Sequence, residues 1–214
     1  MQRIVEPELM TTEEQVSAYD TATPRQFAIK EIIELYKKYT NFTEGTIVDL
    51  GCGTADYLVT LQQEFPKLNI TGYDGSQPMI DVALKNISGT DIKVICSTFD
   101  TITTTADCAI STNTLHHVHE PLMFWKTITN ISNKIFVLDL VRPENITIAQ
   151  TIVETMAPHE PTIFKKDFLN SLRAAFTKEE LEEQVKNLGL TVAIEGSDGF
   201  LQIAIIYGEV NESI

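Results

Sequence analysis

The residues of this chain best suited to chemistry are a glycine turn flanked by carboxylates, a further carboxylate about twenty residues on, and a run of histidines. The turn is Ile47-Val48-Asp49-Leu50-Gly51-Cys52-Gly53-Thr54-Ala55-Asp56-Tyr57. Its apolar half reads as a strand covered on both faces, and Gly51 and Gly53 let the backbone take positive φ and approach a ligand closely. The free N–H groups that open the following helix face the same spot. Asp74 stands where a nucleoside-binding sheet places an acid that accepts both ribose hydroxyls.

Departures from two other templates narrow the ligand. A dinucleotide turn, G-x-G-x-x-G, has its third glycine where this chain has Asp56, and a carboxylate there repels a pyrophosphate. No G-x-x-x-x-G-K-[ST] loop occurs. The expected ligand is a nucleoside without a phosphate chain, and Asp49 and Asp56 favour a cationic one. His116, His117 and His119 invite a metal reading, but sequence neighbours point apart and no carboxylate or cysteine completes a ligand set at a recognisable spacing. No metal is expected.

Alternating strands and helices must hold these residues in place. A helix starts at Thr23-Pro24 and buries Ile29, Ile32, Ile33 and Tyr36. After the glycine turn, Tyr57, Leu58, Leu61 and Phe65 mark one helix face, closed by Pro66. The second strand, 70–73, ends in Asp74. Ser76 then caps a helix that buries Met79, Ile80, Ala83 and Leu84. Strands follow at 92–96, 108–111 and 135–141.

The pattern breaks after Pro143 into two amphipathic helices, around Ile148, Ile152, Val153 and Met156, then Phe164, Phe168 and Leu172. Thr177 and Glu180 form a capping box for a helix reaching Leu188. Two β segments, 191–195 and 201–207, turn back around Ser197-Asp198-Gly199, which makes the last strand antiparallel. The expected fold is α/β, a Rossmann-like doubly wound seven-stranded mostly parallel sheet with an antiparallel last strand. A helical N-terminal arm, residues 1–44, precedes a domain of residues 45–214 that carries a helical lid insertion after strand five, residues 145–176.

Val48-Asp49-Leu50-Gly51-Cys52-Gly53-Thr54 closely resembles motif I of the class I S-adenosylmethionine-dependent methyltransferases, with Ala55 where that family usually has glycine. Gly72-Tyr73-Asp74-Gly75-Ser76 with Pro78-Met79 is similar to the family's second motif. Ser111-Thr112-Asn113-Thr114-Leu115-His116-His117-Val118 is similar to its fourth. The likeness covers residues 45–145 and, in topology, 177–207. It implies a small-molecule methyltransferase with S-adenosylmethionine as cofactor and S-adenosylhomocysteine as product. That donor carries a sulfonium, an amino group and no phosphate.

The resemblance further implies cofactor-binding roles for Asp49, Gly51, Gly53, Asp74, Gly75, Met79, Thr98, Phe99 and Asn113. Thr98 replaces the acid usual at the adenine edge, with Asp100 close by in sequence. His117 is implied as a catalytic base wherever the acceptor must lose a proton, paired with Tyr19 from the N-terminal arm. The insertion, with His159, Glu160, Phe164 and Phe168, is expected to lie over the acceptor. The implied function is methyl transfer to an O, N or C atom of a small molecule. The alternatives are a non-catalytic module that binds S-adenosylmethionine and acts through a partner, and an NAD(P)-dependent oxidoreductase.

Composition agrees with these expectations. The 214 residues are 43% apolar, enough for one domain with a sizeable core. Sixteen basic against thirty acidic residues give a formal net charge of −14, which disfavours nucleic acid as a partner, since such binding draws on Lys and Arg at phosphates. The cysteines, Cys52, Cys96 and Cys108, make no CxxC pair and point to a reducing compartment. Neither an apolar signal segment near Met1 nor a run long enough to span a membrane is present, so a cytoplasmic protein with no membrane partner is expected.

Overall fold

The computed structural model describes residues 1–5, 9–197 and 199–210. Its strands are β1 (Glu44–Leu50), β2 (Lys67–Asp74), β3 (Lys93–Cys96), β4 (Cys108–Thr112), β5 (Lys134–Leu140), β6 (Thr191–Glu195) and β7 (Ile203–Glu209). They form one seven-stranded sheet in the order β3-β2-β1-β4-β5-β7-β6. The first five pair in parallel, and β7 runs antiparallel between β5 and β6. This is the Rossmann-like doubly wound sheet that the alternation of elements predicts.

Helices are α1 (Glu13–Asp20), α2 (Thr23–Tyr39), α3 (Asp56–Glu64), α4 (Gln77–Asn86), α5 (Pro121–Ile131), α6 (Ile146–Met156), α7 (Thr162–Ala174) and α8 (Lys178–Val185). They cover both sheet faces because successive strand residues point to opposite sides. Ile47, Ile70, Ile110, Phe136 and Ile205 pack against α2, α3 and α4 through Ile33, Tyr36, Leu58, Leu61 and Ile80. Val48, Leu50, Val137 and Ile206 pack against α5 and α8 through Phe124, Trp125, Ile128 and Leu181. Helices therefore switch faces between β1 and β4, which opens a crevice at the carboxyl ends of those two strands.

Local signals set most helix starts. Thr12 accepts from Gln15 N, Ser76 from Met79 N and Asn145 from Ile148 N, while Thr177 and Glu180 complete the expected capping box. Several boundaries differ, among them those of β2, β7 and α8. β2 begins at Lys67, because Lys67 and Asn69 alternate with buried Leu68 and Ile70 and so hide the strand from an apolar-run reading. β7 begins at Ile203, and α8 ends at Val185. Leu84, expected to be buried, is 54% exposed, since the inward stripe of α4 is filled by Met79, Ile80 and Ala83. In the expected turn around 197–199, Asp198 lies outside the described residues.

Candidate active site

The glycine turn leaves β1 with three residues at positive φ: Gly51 (+81°), Gly53 (+52°) and Ala55 (+61°). Each glycine has its own reason. A Cβ at Gly51 would run into the Thr114 side chain, whose Oγ1 donates to Gly51 O at 3.1 Å. At Gly53 the positive φ is the reason, since a Cβ there would meet only the Tyr19 ring, at 4.0 Å. Alanine at position 55 is tolerable on magnitudes. Its left-handed backbone costs about 1–2 kcal/mol, while its buried methyl and the stiffer unfolded chain return about as much.

Asp74 closes β2 and ties two loops together. One carboxylate oxygen accepts from Gly53 N at 2.9 Å and the other from Ser76 N at 2.8 Å. A carboxylate has roughly four acceptor positions, so two remain for ligand hydroxyls. Asp49, 1% exposed at the carboxyl end of β1, has a carboxylate oxygen without a hydrogen-bond partner. Burial raises the Asp49 carboxyl well above its ordinary value, and the charge of Asp74 raises it further. Burial raises Asp74 too, against the pull of the Ser76 and Gly53 N–H groups. Asp74, which lines the cavity described below, offers its remaining acceptor positions to a ligand that brings hydroxyl donors.

These shifts carry a sign for stability. The folded state binds more protons than the unfolded chain between about pH 4 and the raised folded values, so this contribution is full below that window and is lost as pH rises through it. We therefore expect Asp49→Asn to gain stability relative to the native chain as pH rises. Denaturant unfolding of both proteins across the pH range checks this, and a pH-independent difference would refute it.

Asp56 behaves differently from its expected role. The Arg25 guanidinium from α2 grips both Asp56 oxygens and also donates to Thr54 Oγ1 at 2.9 Å. The same guanidinium lies 4.2 Å from the centre of the Tyr19 ring. The carboxylate is thus neutralised by a partner from elsewhere in the chain, and neither attracts a cation nor repels a pyrophosphate as a lone charge would.

Beyond β4, Asn113 takes φ +52°, a conformation asparagine tolerates, and its N–H donates to Leu138 O at 2.8 Å. A single 3-10 turn, Leu115–His117, follows. His116 is 3% exposed, with Nδ1 2.5 Å from Asp139 Oδ1, while its backbone N–H donates to Asp139 Oδ2 at 2.9 Å. Leu140 N–H also donates to Asp139, at 2.6 Å. His117 stacks on the His116 ring, centroids 4.3 Å apart. Asp139 was not among the residues singled out from sequence. Its signal was present as an acid inside the apolar strand Phe136-Val137-Leu138-Asp139-Leu140, where an unpaired charge is costly.

A cavity of about 650 Å³ joins these parts, within the roughly 300–1,000 Å³ of small-molecule sites. Gly51, Gly53, Asp74, Gly75, Met79, Thr98, Phe99 and Asn113 line it, as do Tyr19 and His117. Asp49 lies behind the wall. From the insertion, Phe164 and Phe168 line the cavity, but His159 and Glu160 do not; Glu160 instead accepts from Thr23 N at the start of α2. The N-terminal arm forms part of the roof, with Leu9 over Gly75 and Met10 O accepting from Ser76 Oγ. A second concavity, of about 720 Å³, lies at the amino ends of the strands around Gly45 and Asp107, away from the crevice. Among the described residues no three His, Cys, Asp or Glu side chains gather as metal ligands, and no helix is long and apolar enough to cross a membrane.

Residues 47–133 match the family model described as a methyltransferase domain. That segment is similar to a methyltransferase domain, and the sheet that carries it has the fold of solved S-adenosylmethionine-dependent methyltransferases. Among solved structures, the plantazolicin methyltransferase BpumL in complex with S-adenosylhomocysteine aligns with a TM-score of 0.67 at 17% identity, over 92% of this chain and 90% of that one. An S-adenosylmethionine-dependent methyltransferase from Aquifex aeolicus aligns with a TM-score of 0.65 at 14% identity, over 92% and 99%. A curated relative, the carboxy-S-adenosyl-L-methionine synthase of Campylobacter hominis, is 23% identical over 68% of this chain and 69% of its own length.

Proposed function

We propose that this protein transfers the methyl group of S-adenosylmethionine to an O, N or C atom of a small-molecule acceptor. The observation that carries this reading is the continuity of the cavity of about 650 Å³, which runs from the glycine turn, Asp74 and Met79 to the walls formed by α1, α6 and α7. When bound, the donor supplies an electrophilic methyl on a sulfonium. Asp74 would hold the ribose hydroxyls, Asp49 would act on the donor's positive charge from behind the glycine turn, and Gly75, Met79, Thr98 and Phe99 would surround the adenine. Asn113 would lie by the methionine moiety. The remaining task of the chain is alignment and exclusion of water, and orientation alone can lower such a barrier by roughly 7–11 kcal/mol.

His117 and Tyr19 both line the cavity and are assigned the acceptor's proton and hydroxyl contacts. His117→Ala should abolish most turnover while leaving affinity for S-adenosylhomocysteine within about two-fold, as expected of a group outside the donor contacts. A variant with native turnover at all pH values would remove His117 as the base. The reading as a whole is tested by calorimetric titration with S-adenosylhomocysteine, with NADH as control, after bound nucleosides are removed. Binding of the former alone supports it; binding of NADH alone would make the protein an oxidoreductase.

The curated relative suggests a second reading, in which the nucleoside itself is modified by a carboxyl group. Charge disfavours it. A carboxylate co-substrate needs a cation, and Arg25, the one Arg or Lys side chain lining the cavity among the described residues, is already held by Asp56 and Thr54.

A further inference from the structure

The acceptor half of the cavity has a charge pattern of its own. Resting on the methyl-transfer reading, we infer that the acceptor is an apolar molecule bearing a protonated amine, and that the Asp167 carboxylate on α7 is the group that holds this amine.

Sheet order separates the two halves. The donor residues hang from β1, β2, β3 and β4, whereas β5 and β7 lie on the far side of β4. Leu140 and Ile203, paired across those two strands, form the floor there. α7 forms a wall. Phe164, Asp167, Phe168 and Ser171 fall at i, i+3, i+4 and i+7, so they share one face of the helix, and all four line the cavity. The wall is therefore two phenyl rings with a carboxylate between them.

Asp167 is underused by the protein. Its carboxylate accepts one hydrogen bond among the described residues, from Gln15 Nε2 of α1 at 3.3 Å. Burial raises the carboxyl above its ordinary value, with the Gln15 bond and the charge of Lys166 opposing. Lys166 is solvent-exposed and does not line the cavity. A cation seated beside Asp167 would favour its ionised form.

The surroundings select the same ligand class. Arg25 is the only lining Arg or Lys among the described residues and is occupied by Asp56, so an anionic acceptor meets no uncommitted guanidinium or ammonium. Glu31 and Glu120 add negative charge on exposed parts of the lining, and the formal net charge of −14 draws cations towards it. The two phenyl rings suit an apolar body and also the face-on approach of a cation.

The test uses the whole protein saturated with S-adenosylhomocysteine and three probes of one apolar body: phenylbutylamine, phenylbutanol and phenylbutanoate. Binding is read by ligand-observed NMR near neutral pH. The amine should bind about ten-fold more tightly than the alcohol, as expected for a hydrogen bond to a charged group, and the carboxylate most weakly. Asp167→Asn, which keeps the shape and the Gln15 contact, should bring amine and alcohol within roughly two-fold of each other with nucleoside affinity unchanged. The inference is overturned by equal binding of alcohol or carboxylate, by binding of none of the three, or by a preference that survives the substitution. Failure of S-adenosylhomocysteine to bind would remove the methyl-donor reading along with it, whereas nucleoside binding without amine preference removes the inference alone.

Discussion

Replacing Asp139 by alanine should destabilise the protein by about 3–5 kcal/mol, the range for removing one partner from a buried, hydrogen-bonded pair. Asp139 is 2% exposed and accepts from three donors: His116 Nδ1, His116 N and Leu140 N. Its removal takes the carboxylate acceptor from each of these groups, at about 1–3 kcal/mol each before relaxation. The loss is a large share of a typical total stability of about 5–15 kcal/mol. Equilibrium urea unfolding should show a lower midpoint with an unchanged slope. Asp139→Asn, which retains one acceptor oxygen, should lose less. A midpoint for the alanine variant corresponding to less than about 1 kcal/mol would mean that water replaces the carboxylate.

The structural consequence bears on function. Asp139 sits at the end of β5 and reaches across to the 3-10 turn that carries His117 into the cavity. The pair also fixes the His116 ring, on which His117 stacks. His116 is therefore a positioning residue for the turn, and loss of Asp139 should lower turnover even where the protein remains folded.

Asp74→Ala should weaken binding of S-adenosylhomocysteine by about 1–3 kcal/mol, or roughly five- to 150-fold, from lost hydrogen bonds to a charged group. The upper end is expected. Asp74 has a second task, since its two oxygens hold Gly53 N and Ser76 N and so set the distance between the glycine turn and the start of α4. Asp74→Asn keeps an acceptor for one of these N–H groups and should fall between alanine and the native chain. Calorimetric titration of the three proteins measures the order. Native affinity in a folded alanine variant would rule out the ribose assignment.

Much of the geometry of the candidate site was legible because its logic is local. A strand that turns into a helix through Gly51 and Gly53, followed by Asp74 and a Ser76 cap, involves residues whose roles depend on near neighbours. Met79 and Asn113 came with the family resemblance. The capping box at Thr177 and Glu180 is equally local, and so are the helices of the insertion. Leu84 and the start of β2 failed for the opposite reason, because burial at an element's edge depends on what the fold lays against it.

The sequence by itself determined the α/β order, the glycine turn and the place of Asp74 at the end of β2, because short-range backbone geometry and strand–helix periodicity encode them. Tertiary structure alone decided which charges remain available. Asp56 looked like a free carboxylate until Arg25, 31 positions earlier, closed on it. Asp139 acquired a purpose only when β5 brought it beneath His116, 23 residues away. Asp167, on a helix beyond the recognisable motifs, became a cavity carboxylate because α1 and α7 meet over the crevice. Electrostatic roles depend on distances between groups far apart in the chain, and only packing sets those distances.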